Sequence, residues 1–401
     1  MSRSVLFPLE TVQGKLLKLV EPLGPEEIPA EAAVGRHLAA EVLARRTQPA
    51  ADLSAMDGYA MGADDLAGPW TVVGESAAGH PFDRALRTGE AARISTGAMM
   101  PPGAGAVLLQ EEAVRDGDAL RLAEGGEATP RHIRRAGFDF RAGDALLRKG
   151  IRVGPAQLAL AIAGGHASLA VGRRPRVAIL DSGDELSADP ANCSPHQIPA
   201  SNGPMLAAMA APLACRIERF GPVPDRLDAM LVAFERAADA DVLVTSGGAS
   251  VGDHDLLRPA LEQWGATVEF WRVKMKPGKP VLAARRGEQV ILGLPGNPAS
   301  SFVTAFVLLL PLLRRLAGAE RVLPVPVTAP LADPMPESGD RLEFVRAHYT
   351  GGSVIPWQQQ DSSALATLAA SNALVRRCAN SPPAERGDLV HVYLLDNGGI
   401  A

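Results

Sequence analysis

The sequence predicts a multidomain α/β protein, and three observations support this class. The chain has 401 residues, more than one hydrophobic core usually accommodates. Over about 173–320, short apolar runs alternate with amphipathic stretches. By contrast, 45–145 and the part after 320 are rich in Gly, Pro and short β runs. Strand–helix alternation predicts a parallel, doubly wound sheet with helices on both faces.

The first part of the chain predicts helices on either side of a small β domain. We expect helices around 9–22, over "EEIPAEAAVGRHLAAEVLA" (26–44) and over "GPAQLALAIAGG" (154–165). The β-rich stretch 45–145 therefore interrupts one helical unit. This predicts a split helical linker domain, formed by 1–44 together with 146–172, and an inserted β domain at 45–145.

The middle of the chain, 173–320, carries the α/β pattern. Strands are predicted at "RVAIL" (176–180), "CRIERF" (215–220), "DVLVT" (241–245), "TVEFWRV" (267–273), "PVLAAR" (280–285) and "QVILGLP" (289–295). Helices are predicted at 202–214, 226–239, 255–264 and from Pro298 onward. The helix at 226–239 has Leu227, Met230, Leu231 and Phe234 on one face. The remaining 321–401 predicts a C-terminal β domain.

Composition and charge exclude several classes of function. A net charge of −5 gives no global attraction to nucleic acid, so any anion site must be local. Aromatic residues make up only 4%, which disfavours a platform for base stacking. The three cysteines, Cys193, Cys215 and Cys378, form no CxxC pair, so neither a disulfide framework nor a zinc knuckle is expected.

Localisation signals point to the cytoplasm. The N-terminus "MSRSVLFPLE" has no apolar signal-peptide segment, and the unpaired cysteines suit a reducing compartment. The longest apolar run (301–316) is interrupted by Pro311 and closed by Arg314 and Arg315. It predicts a buried helix rather than a membrane span.

Polar loops follow the predicted strands, and they should meet at one sheet edge, since ligands of open α/β sheets bind outside the carboxyl ends of the strands. These loops are "DSGDEL" (181–186), "GPVPD" (221–225), "SGGASVGDHD" (246–255), "KMKPGKP" (274–280) and "LPGNP" (294–298). Backbone N–H groups at Gly-rich turns and helix starts bind anions, and grouped carboxylates bind a hard cation such as Mg²⁺. The pattern predicts a metal-bridged phosphate site.

Residues from these loops supply the candidates for binding an anionic substrate. They are Ser246, Gly247 and Gly248 after one strand, and Asn297, Pro298 and Ser300 at the start of a helix. Lys274, Lys276 and Lys279 lie in the lysine turn, 274–280. Asn297 is placed to cap the helix and Pro298 occupies its first position.

Standard motifs of other enzyme classes are absent. "PGKPVL" contains Gly278–Lys279, but it has no Ser or Thr after the lysine and no glycine five residues before it, so it is not a P-loop. "GGASVG" (247–252) does not have the G-x-G-x-x-G spacing of a dinucleotide-binding turn. The sequence also has no G-x-S-x-G and no H-E-x-x-H. Ordinary kinases, dehydrogenases, hydrolases and zinc peptidases are disfavoured.

Six motifs in order resemble the MoeA and gephyrin E-domain family of molybdopterin molybdenumtransferases. They are "SAMDGYA" (54–60), "RISTGAMMPPGAGAVLLQEE" (93–112), "SGDEL" (182–186), "TSGGASVGDHD" (245–255), "KMKPGKP" (274–280) and "GLPGNPASS" (293–301). The resemblance covers nearly the whole chain. It implies a MoaB-like α/β domain in the middle, a split helical domain with an inserted β domain, a C-terminal β-barrel-like domain and an elongated homodimer.

The activity that the resemblance implies is molybdenum insertion. Adenylylated molybdopterin and molybdate would become molybdenum cofactor and AMP with the help of Mg²⁺, and a MoaB/MogA-type adenylyltransferase would deliver the substrate. Both substrates are strongly anionic, which suits Lys and Arg. A divalent cation held by carboxylates would neutralise the phosphate.

The family's functional positions can be placed on this sequence. Its acidic positions fall on Asp57, Asp139, Glu185, Asp225 and Asp255, and its anion-binding positions on Thr96, Arg272, Lys276, Lys279, Arg346 and Ser362. By the resemblance, Arg346 and Ser362 would hold molybdate, while Glu185, Asp225 and Asp255 would serve the metal and the pyrophosphate. Asp57, Thr96 and Asp139 would close over the partner subunit's site.

Two alternatives stay open at the level of sequence. One is a tungstate insertase of the same fold, because tungstate and molybdate match in charge and nearly in size. The other is a non-catalytic scaffold like the gephyrin branch, which would predict a long linker or a fused second domain. The sequence shows neither feature, so the insertase is the favoured hypothesis.

Overall fold

The computed structural model describes residues 6–247 and 256–395. The first region contains α1 (Leu9–Lys18), β1 (Pro25–Pro29) and β2 (Val42–Leu43). The inserted region contains β3 (Leu53–Ser54), β4 (Gly58–Gly62), β5 (Trp70–Ser76), β6 (Glu90–Ile94), β7 (Ala104–Leu109), β8 (Ala113–Asp116), β9 (Ala119–Leu122) and β10 (Ile133–Arg134). The chain then forms β11 (Ala145–Leu147), α2 (Pro155–Ala163) and β12 (Ser168–Gly172).

The central and C-terminal regions follow. The central elements are β13 (Arg176–Ser182), β14 (Leu186–Ser187), β15 (Ile198–Pro199), α3 (Asn202–Ala210), β16 (Arg216–Val223), α4 (Leu227–Arg236), β17 (Val242–Ser246), α5 (Leu257–Gln263), β18 (Thr267–Arg272), β19 (Met275–Lys276), β20 (Pro280–Arg286), β21 (Gln289–Leu294), α6 (Pro298–Thr304) and α7 (Leu310–Leu316). The C-terminal elements are β22 (Val327–Pro330), β23 (Leu342–Tyr349), β24 (Val354–Pro356), α8 (Leu365–Ala369), β25 (Ala373–Arg377) and β26 (Leu389–Leu394).

The central sheet has six strands in the order β16-β13-β17-β21-β20-β18. Strands β16, β13, β17 and β21 are parallel, as the sequence predicts, but β20 runs antiparallel to both of its neighbours. The sheet is therefore mixed. The physical reason is the short connection between β20 and β21, where Gly287 adopts φ +58° and Arg286 pairs with Gln289, since a two-residue loop can only join antiparallel strands.

Helices cover both faces of this sheet, because the strands are apolar on both sides. Val177 and Ile179 of β13 face the cluster that contains α3, α6 and α7. Ala178 and Leu180 face the opposite cluster, which contains α4 and α5. Successive side chains of a strand point to opposite faces, so a continuous apolar run fits a strand that is buried on both sides.

The longest helical stretch, Pro298–Leu316, runs through the core. A π-helical segment, Ala305–Leu309, joins α6 to α7. The stretch is long and apolar enough to cross a membrane by composition, but 89% of it is buried inside the protein. It packs against α1 and α3 in the same apolar cluster. The prediction of a buried helix over 301–316 is confirmed.

The unit that surrounds the inserted region is less helical than predicted. The helix expected over 26–44 does not form, because β1 pairs antiparallel with β12 and β2 pairs with β11. Only a short 3₁₀ turn, Ala30–Ala33, remains of it, and helix α2 packs against that turn. Within 45–145, a six-stranded sheet has the order β7-β4-β6-β5-β9-β8.

The C-terminal strands form a small barrel that includes a strand from the central region. The order is β19-β23-β25-β26-β22, with β24 also paired to β23. A bridge between Leu331, directly after β22, and Val354 of β24 closes the sheet on itself. Strand β19 comes from the lysine turn, so this turn belongs structurally to both domains. The predicted barrel-like fold is confirmed.

His37 is a buried histidine in the unit around α2. It is 7% exposed, and its Nδ1 has no hydrogen-bond partner. Burial and the positive charges of Arg152, Arg314 and Arg36 lower its pKa to about 4. Since the unfolded chain binds this proton near pH 6.5, stability should fall as the pH drops from about 6.5 to 4, by on the order of 3 kcal/mol.

Urea unfolding at pH 7 and pH 5 measures this dependence. His37→Gln stays neutral at both values, so its free energy of unfolding should change less between them than that of the wild type. The matched control is His391→Gln, which removes an exposed histidine on β26 and should keep the wild-type dependence. If the free energy of unfolding changes equally between pH 7 and pH 5 in His37→Gln and in the wild type, the lowered pKa of His37 is refuted.

Candidate active site

A cleft of about 920 Å³ opens at the carboxyl ends of the parallel strands. It lies where β13 is flanked by β16 on one side and β17 on the other, so the connections leave in opposite directions. This is the switch point at which open α/β sheets bind ligands. Of the residues predicted from sequence, the cleft is lined by Glu185, Asp225, Ser246, Gly247, Asn297, Pro298 and Ser300.

The acidic side of the cleft is built by the loops after β13 and β16. Asp225 donates its backbone N–H to Oδ1 of Asp184 at 3.2 Å, which joins the two loops. The pKa of Asp225 is raised, chiefly by partial burial and also by the charges of Asp184 and Glu185. Three carboxylates therefore share one region, and a cation there would relieve their repulsion.

Asp181 at the end of β13 and Asn202 at the start of α3 also line the cleft, although neither was among the predicted site residues. Asp181, at the end of β13, is 7% exposed, and its pKa is raised by burial although the backbone N–H of Gly203 hydrogen-bonds to it. A Cβ at position 203 would collide with this carboxylate, so glycine permits the close approach. Asn202 donates from Nδ2 to Ser246 Oγ at 2.9 Å and to the carbonyl of Gly296 at 2.7 Å.

A signal for Asp181 was present in the sequence, because it directly follows the apolar strand 176–180 and opens the loop that contains Glu185. Asn202 is the first residue of the predicted helix 202–214 and follows no predicted strand, so the strand-end pattern did not identify it. Ser182 and Ser363 also line the cleft without having been predicted.

The start of α6 is tied to the C-terminal domain. Asn297 Nδ2 donates to Ser362 Oγ at 3.0 Å, and the backbone N–H of Ala299 donates to the carbonyl of Ser362 at 3.0 Å. Asn297 occupies the N-cap and Pro298 the first helical position, as predicted, but the Asn297 side chain bonds Ser362 instead of the helix backbone. Ser362 is thereby placed beside the cleft.

Arg346 lies behind the loop that carries Ser362. It is 1% exposed, and its guanidinium donates to the carbonyls of Gln359 at 3.3 Å, Asp361 at 2.8 Å and Ala364 at 3.1 Å. Its Nε contacts Gln360 Oε1 at 3.4 Å. Burial lowers its pKa. In this arrangement the side chain fixes the shape of the loop 359–364.

The lysine turn, 274–280, packs at the rim of the cleft. Gly278 adopts φ +100° and is buried against Met275, Thr304 and the carbonyl of Ser300, where a side chain would not fit. Lys276 and Lys279, on either side of it, are exposed. Because Ser300 and Pro280 line the cleft, this contact places the backbone of the turn beside the cleft, although Lys276 and Lys279 are not themselves among its lining residues.

Arg272 and Lys274 lie on the approach to this turn and do not line the cleft. Their backbones pair with the N-terminal segment, since Phe7 N–H donates to the carbonyl of Arg272 and Lys274 N–H donates to the carbonyl of Phe7. Gly248 and Asp255 lie outside the residues that the structure describes.

The predicted residues of the inserted region do not line this cleft within one chain. Asp57 and Thr96 are together, with the Thr96 backbone N–H donating to Asp57 Oδ1 at 2.6 Å. This hydrogen bond and the Thr96 hydroxyl lower the pKa of Asp57. Asp139 donates its backbone N–H to the carbonyl of Gln48 at 3.1 Å.

Within the described ranges, no group of three or more His, Cys, Asp or Glu side chains is placed to hold a metal ion. Of the three predicted metal ligands, Glu185 and Asp225 line the cleft, and Asp255 is outside those ranges. A metal site with these three ligands stays a prediction.

Comparison with known proteins decides the family. Family models match the MoeA N-terminal region (domain I and II) over residues 7–165, the probable molybdopterin binding domain over 178–315 and the MoeA C-terminal region (domain IV) over 328–395. A molybdopterin molybdenumtransferase of Haemophilus influenzae is 33% identical over 349 residues, 86% of each chain. The chain belongs to the MoeA family.

Other MoeA family proteins agree in sequence and in structure. A molybdopterin molybdenumtransferase of Bacillus subtilis is 32% identical over 390 residues, covering 93% of this chain and 91% of that one. The crystal structure of the molybdopterin biosynthesis moeA protein of Pyrococcus horikoshii OT3 superposes with a TM-score of 0.83 at 28% identity, covering 97% of this chain and 100% of the other. The predicted family and fold class are confirmed.

Proposed function

We propose that this protein is a molybdenum insertase of molybdenum cofactor biosynthesis. It would convert adenylylated molybdopterin and molybdate to molybdenum cofactor and AMP with the assistance of Mg²⁺. One observation carries the proposal, namely a cleft at the strand ends that combines carboxylates with helix-start donors beside a lysine turn. A pyrophosphate-containing substrate needs both kinds of group.

The acidic side of the cleft suits a divalent cation. Asp225 and Glu185 line it, and Asp184 accepts the backbone N–H of Asp225, so carboxylates of the kind that Mg²⁺ prefers lie on this side of the cleft. The pKa of Asp225 is raised chiefly by partial burial and also by the charges of Asp184 and Glu185, and a bound cation would favour the ionised carboxylate. With the cation bound, the site would gain a Lewis acid that polarises the phosphate, and Asp225 and Glu185 would orient it, together with Asp255.

The basic side of the cleft would bind the anionic groups. Lys276 and Lys279 at the rim, with Arg272 and Lys274 on the approach, would attract pyrophosphate and molybdate. Ser246, Gly247, Ser300 and the start of α6 offer hydroxyl and backbone donors deeper in the cleft. Ser362 would contact molybdate, and Arg346 would hold the loop that presents it, as its hydrogen bonds indicate.

The complete site would form in a homodimer. Asp57, Thr96 and Asp139 lie in the inserted region away from this chain's own cleft, so they would serve the partner subunit's site. We propose that a MoaB/MogA-type adenylyltransferase supplies the substrate in the cytoplasm, because an adenylylated intermediate is reactive and benefits from direct transfer.

AMP release from adenylylated molybdopterin tests the proposal. The purified protein with Mg²⁺ should release AMP in a molybdate-dependent manner, and chelation of Mg²⁺ should stop the reaction. Titration of tungstate in place of molybdate distinguishes the two anions. AMP release that does not depend on either oxyanion, or no release at all, would refute the insertase function.

A further inference from the structure

The lysine turn is held in place by the C-terminal domain. Strand β19 pairs in parallel with β23, so that Met275 lies opposite Leu342 and Lys276 opposite Glu343. The backbone N–H of Leu342 donates to the carbonyl of Lys274 at 3.3 Å. The position of the turn over the cleft therefore depends on β23, a strand of a different domain.

A specific ion pair reinforces this connection. Lys276 Nζ lies 3.3 Å from Glu343 Oε1, with the lysine side chain 52% exposed and the glutamate side chain 17% exposed. The same Oε1 also accepts the backbone N–H of Gly339 at 3.4 Å. The carboxylate is therefore the fixed partner, and the long lysine side chain is the one that can move.

The turn that carries Lys276 contacts the cleft wall through Gly278. Gly278, two residues after Lys276, packs against the carbonyl of Ser300, and Ser300 is part of the cleft wall. In the described part of the chain, neither Lys274 nor Lys279 has a carboxylate within salt-bridge distance. Among the described residues, Lys276 is therefore the lysine of the turn that pairs with a carboxylate.

We propose that Glu343 is a positioning residue for Lys276. It holds the ammonium group on the turn beside the cleft before substrate binds and releases it to the anionic group of the incoming substrate. The inference rests on the proposed function, since it concerns the same anion-binding turn. An entering pyrophosphate competes with Glu343 for one cation, so the carboxylate weakens substrate binding while it fixes the lysine in the productive place.

Inorganic pyrophosphate is the probe for the binding half of this inference. In calorimetric titration, Glu343→Gln should bind pyrophosphate roughly two- to fivefold more tightly than the wild type, as expected for losing one competing charge from a partly exposed ion pair. Lys276→Met should bind it more weakly. In the Lys276→Met background, Glu343→Gln should add no further tightening, because the competition no longer exists.

Steady-state AMP release is the probe for the positioning half. Glu343→Gln should lower KM and also lower kcat, by about tenfold, because the lysine is bound tightly but is no longer held in place. A purely structural role for Glu343 would not lower KM. Glu343→Asp keeps the charge on a shorter side chain, so it should retain wild-type pyrophosphate affinity with a reduced kcat.

The matched control is Glu288→Gln, which removes a 97% exposed carboxylate that pairs with Arg285 away from the cleft and should change neither quantity. Unchanged or weaker pyrophosphate binding by Glu343→Gln overturns the inference, as does equal tightening in the Lys276→Met background. If Glu343→Gln is too unstable to titrate, an altered pyrophosphate affinity of Glu343→Asp overturns it. Loss of molybdate-dependent AMP release in the wild type would refute the insertase function alone, because the pyrophosphate titrations do not require turnover.

Discussion

Asp225→Asn should lower the rate of AMP release by about a hundredfold or more while leaving the protein fully folded. Asp225 lines the cleft and is hydrogen-bonded through its backbone to Asp184, so the substitution removes a charge without removing the contact between the two loops. Loss of a carboxylate that orients a bound cation typically costs this much in affinity or activity.

The same substitution should not decrease stability. The pKa of Asp225 is raised by partial burial and by like charges, so the folded protein holds this proton more readily than the unfolded chain does. Such a group contributes stability below its unfolded pKa and loses it as the pH rises through the folded pKa. Asparagine does not ionise, so Asp225→Asn avoids the loss of stability that ionised Asp225 causes at pH 7. Its melting temperature at pH 7 should therefore equal or slightly exceed that of the wild type.

Thermal melts test the expected stability of Asp225→Asn, and AMP release tests its expected loss of activity. Both are measured on the same preparation at several Mg²⁺ concentrations. Asp228→Asn is the matched control, because Asp228 lies three residues further along the chain in an exposed pair with Arg226 and should affect neither quantity. Near-normal turnover by Asp225→Asn would show that the acidic side of the cleft does not serve the cation.

Where local pattern and tertiary structure agree, the sequence predicted the fold correctly. The strands at 176–180 and 241–245 are apolar on both faces, and in a parallel sheet covered by helices no other pattern is expected. The carboxyl-end loops of these strands then had to meet. This is why Glu185, Asp225, Ser246 and Asn297 could be placed in one site before their distances were known.

The prediction failed where pairing partners are distant in sequence. Residues 26–44 are rich in Ala and Glu, which favours a helix. Instead β1 pairs with β12, which lies more than a hundred residues further along the chain. This pairing buries Leu169 and Val171 in the apolar core around α2. Tertiary contacts override the weak local preference for a helix, and a single sequence does not show which distant strand will pair with this segment.

The site shows the same limit. The lysine turn was located from its composition, but its pairing with β23 and the contact of Lys276 with Glu343 join residues 67 positions apart. Arg346 was assigned from resemblance as a ligand of molybdate, and this stays a prediction. Sequence alone did not show that its donors also reach the loop 359–364, because that contact depends on the folded arrangement.

Arg346→Met should therefore reduce stability and activity together. The substitution keeps much of the volume but leaves the carbonyls of Gln359, Asp361 and Ala364 without their donor. A hydrogen bond from a charged donor contributes about 1.5–3 kcal/mol, and water can replace part of this because Gln359 and Asp361 are exposed and Ala364 is half-buried. The loss of three such bonds should therefore lower the free energy of unfolding by about 3 kcal/mol. AMP release should be lost as well, because Ser362 is no longer presented to the start of α6.

Two further variants separate positioning from anion binding. Ser362→Ala keeps the loop but removes the hydroxyl that Asn297 contacts, so it should raise the KM for molybdate while lowering stability by about 1 kcal/mol at most. Arg346→Lys keeps the charge without the planar fork that reaches several carbonyls, so it should destabilise the protein nearly as much as methionine does.

Urea unfolding and AMP release at varied molybdate distinguish these outcomes. Arg376→Met is the control, since Arg376 lies on neighbouring β25 and pairs at the surface with Glu10, where an exposed ion pair is worth about 1 kcal/mol or less. Wild-type stability of Arg346→Lys combined with a raised KM for molybdate would contradict the positioning role. That result would show that Arg346 contacts the oxyanion directly, and that its hydrogen bonds to the loop exchange when the substrate binds.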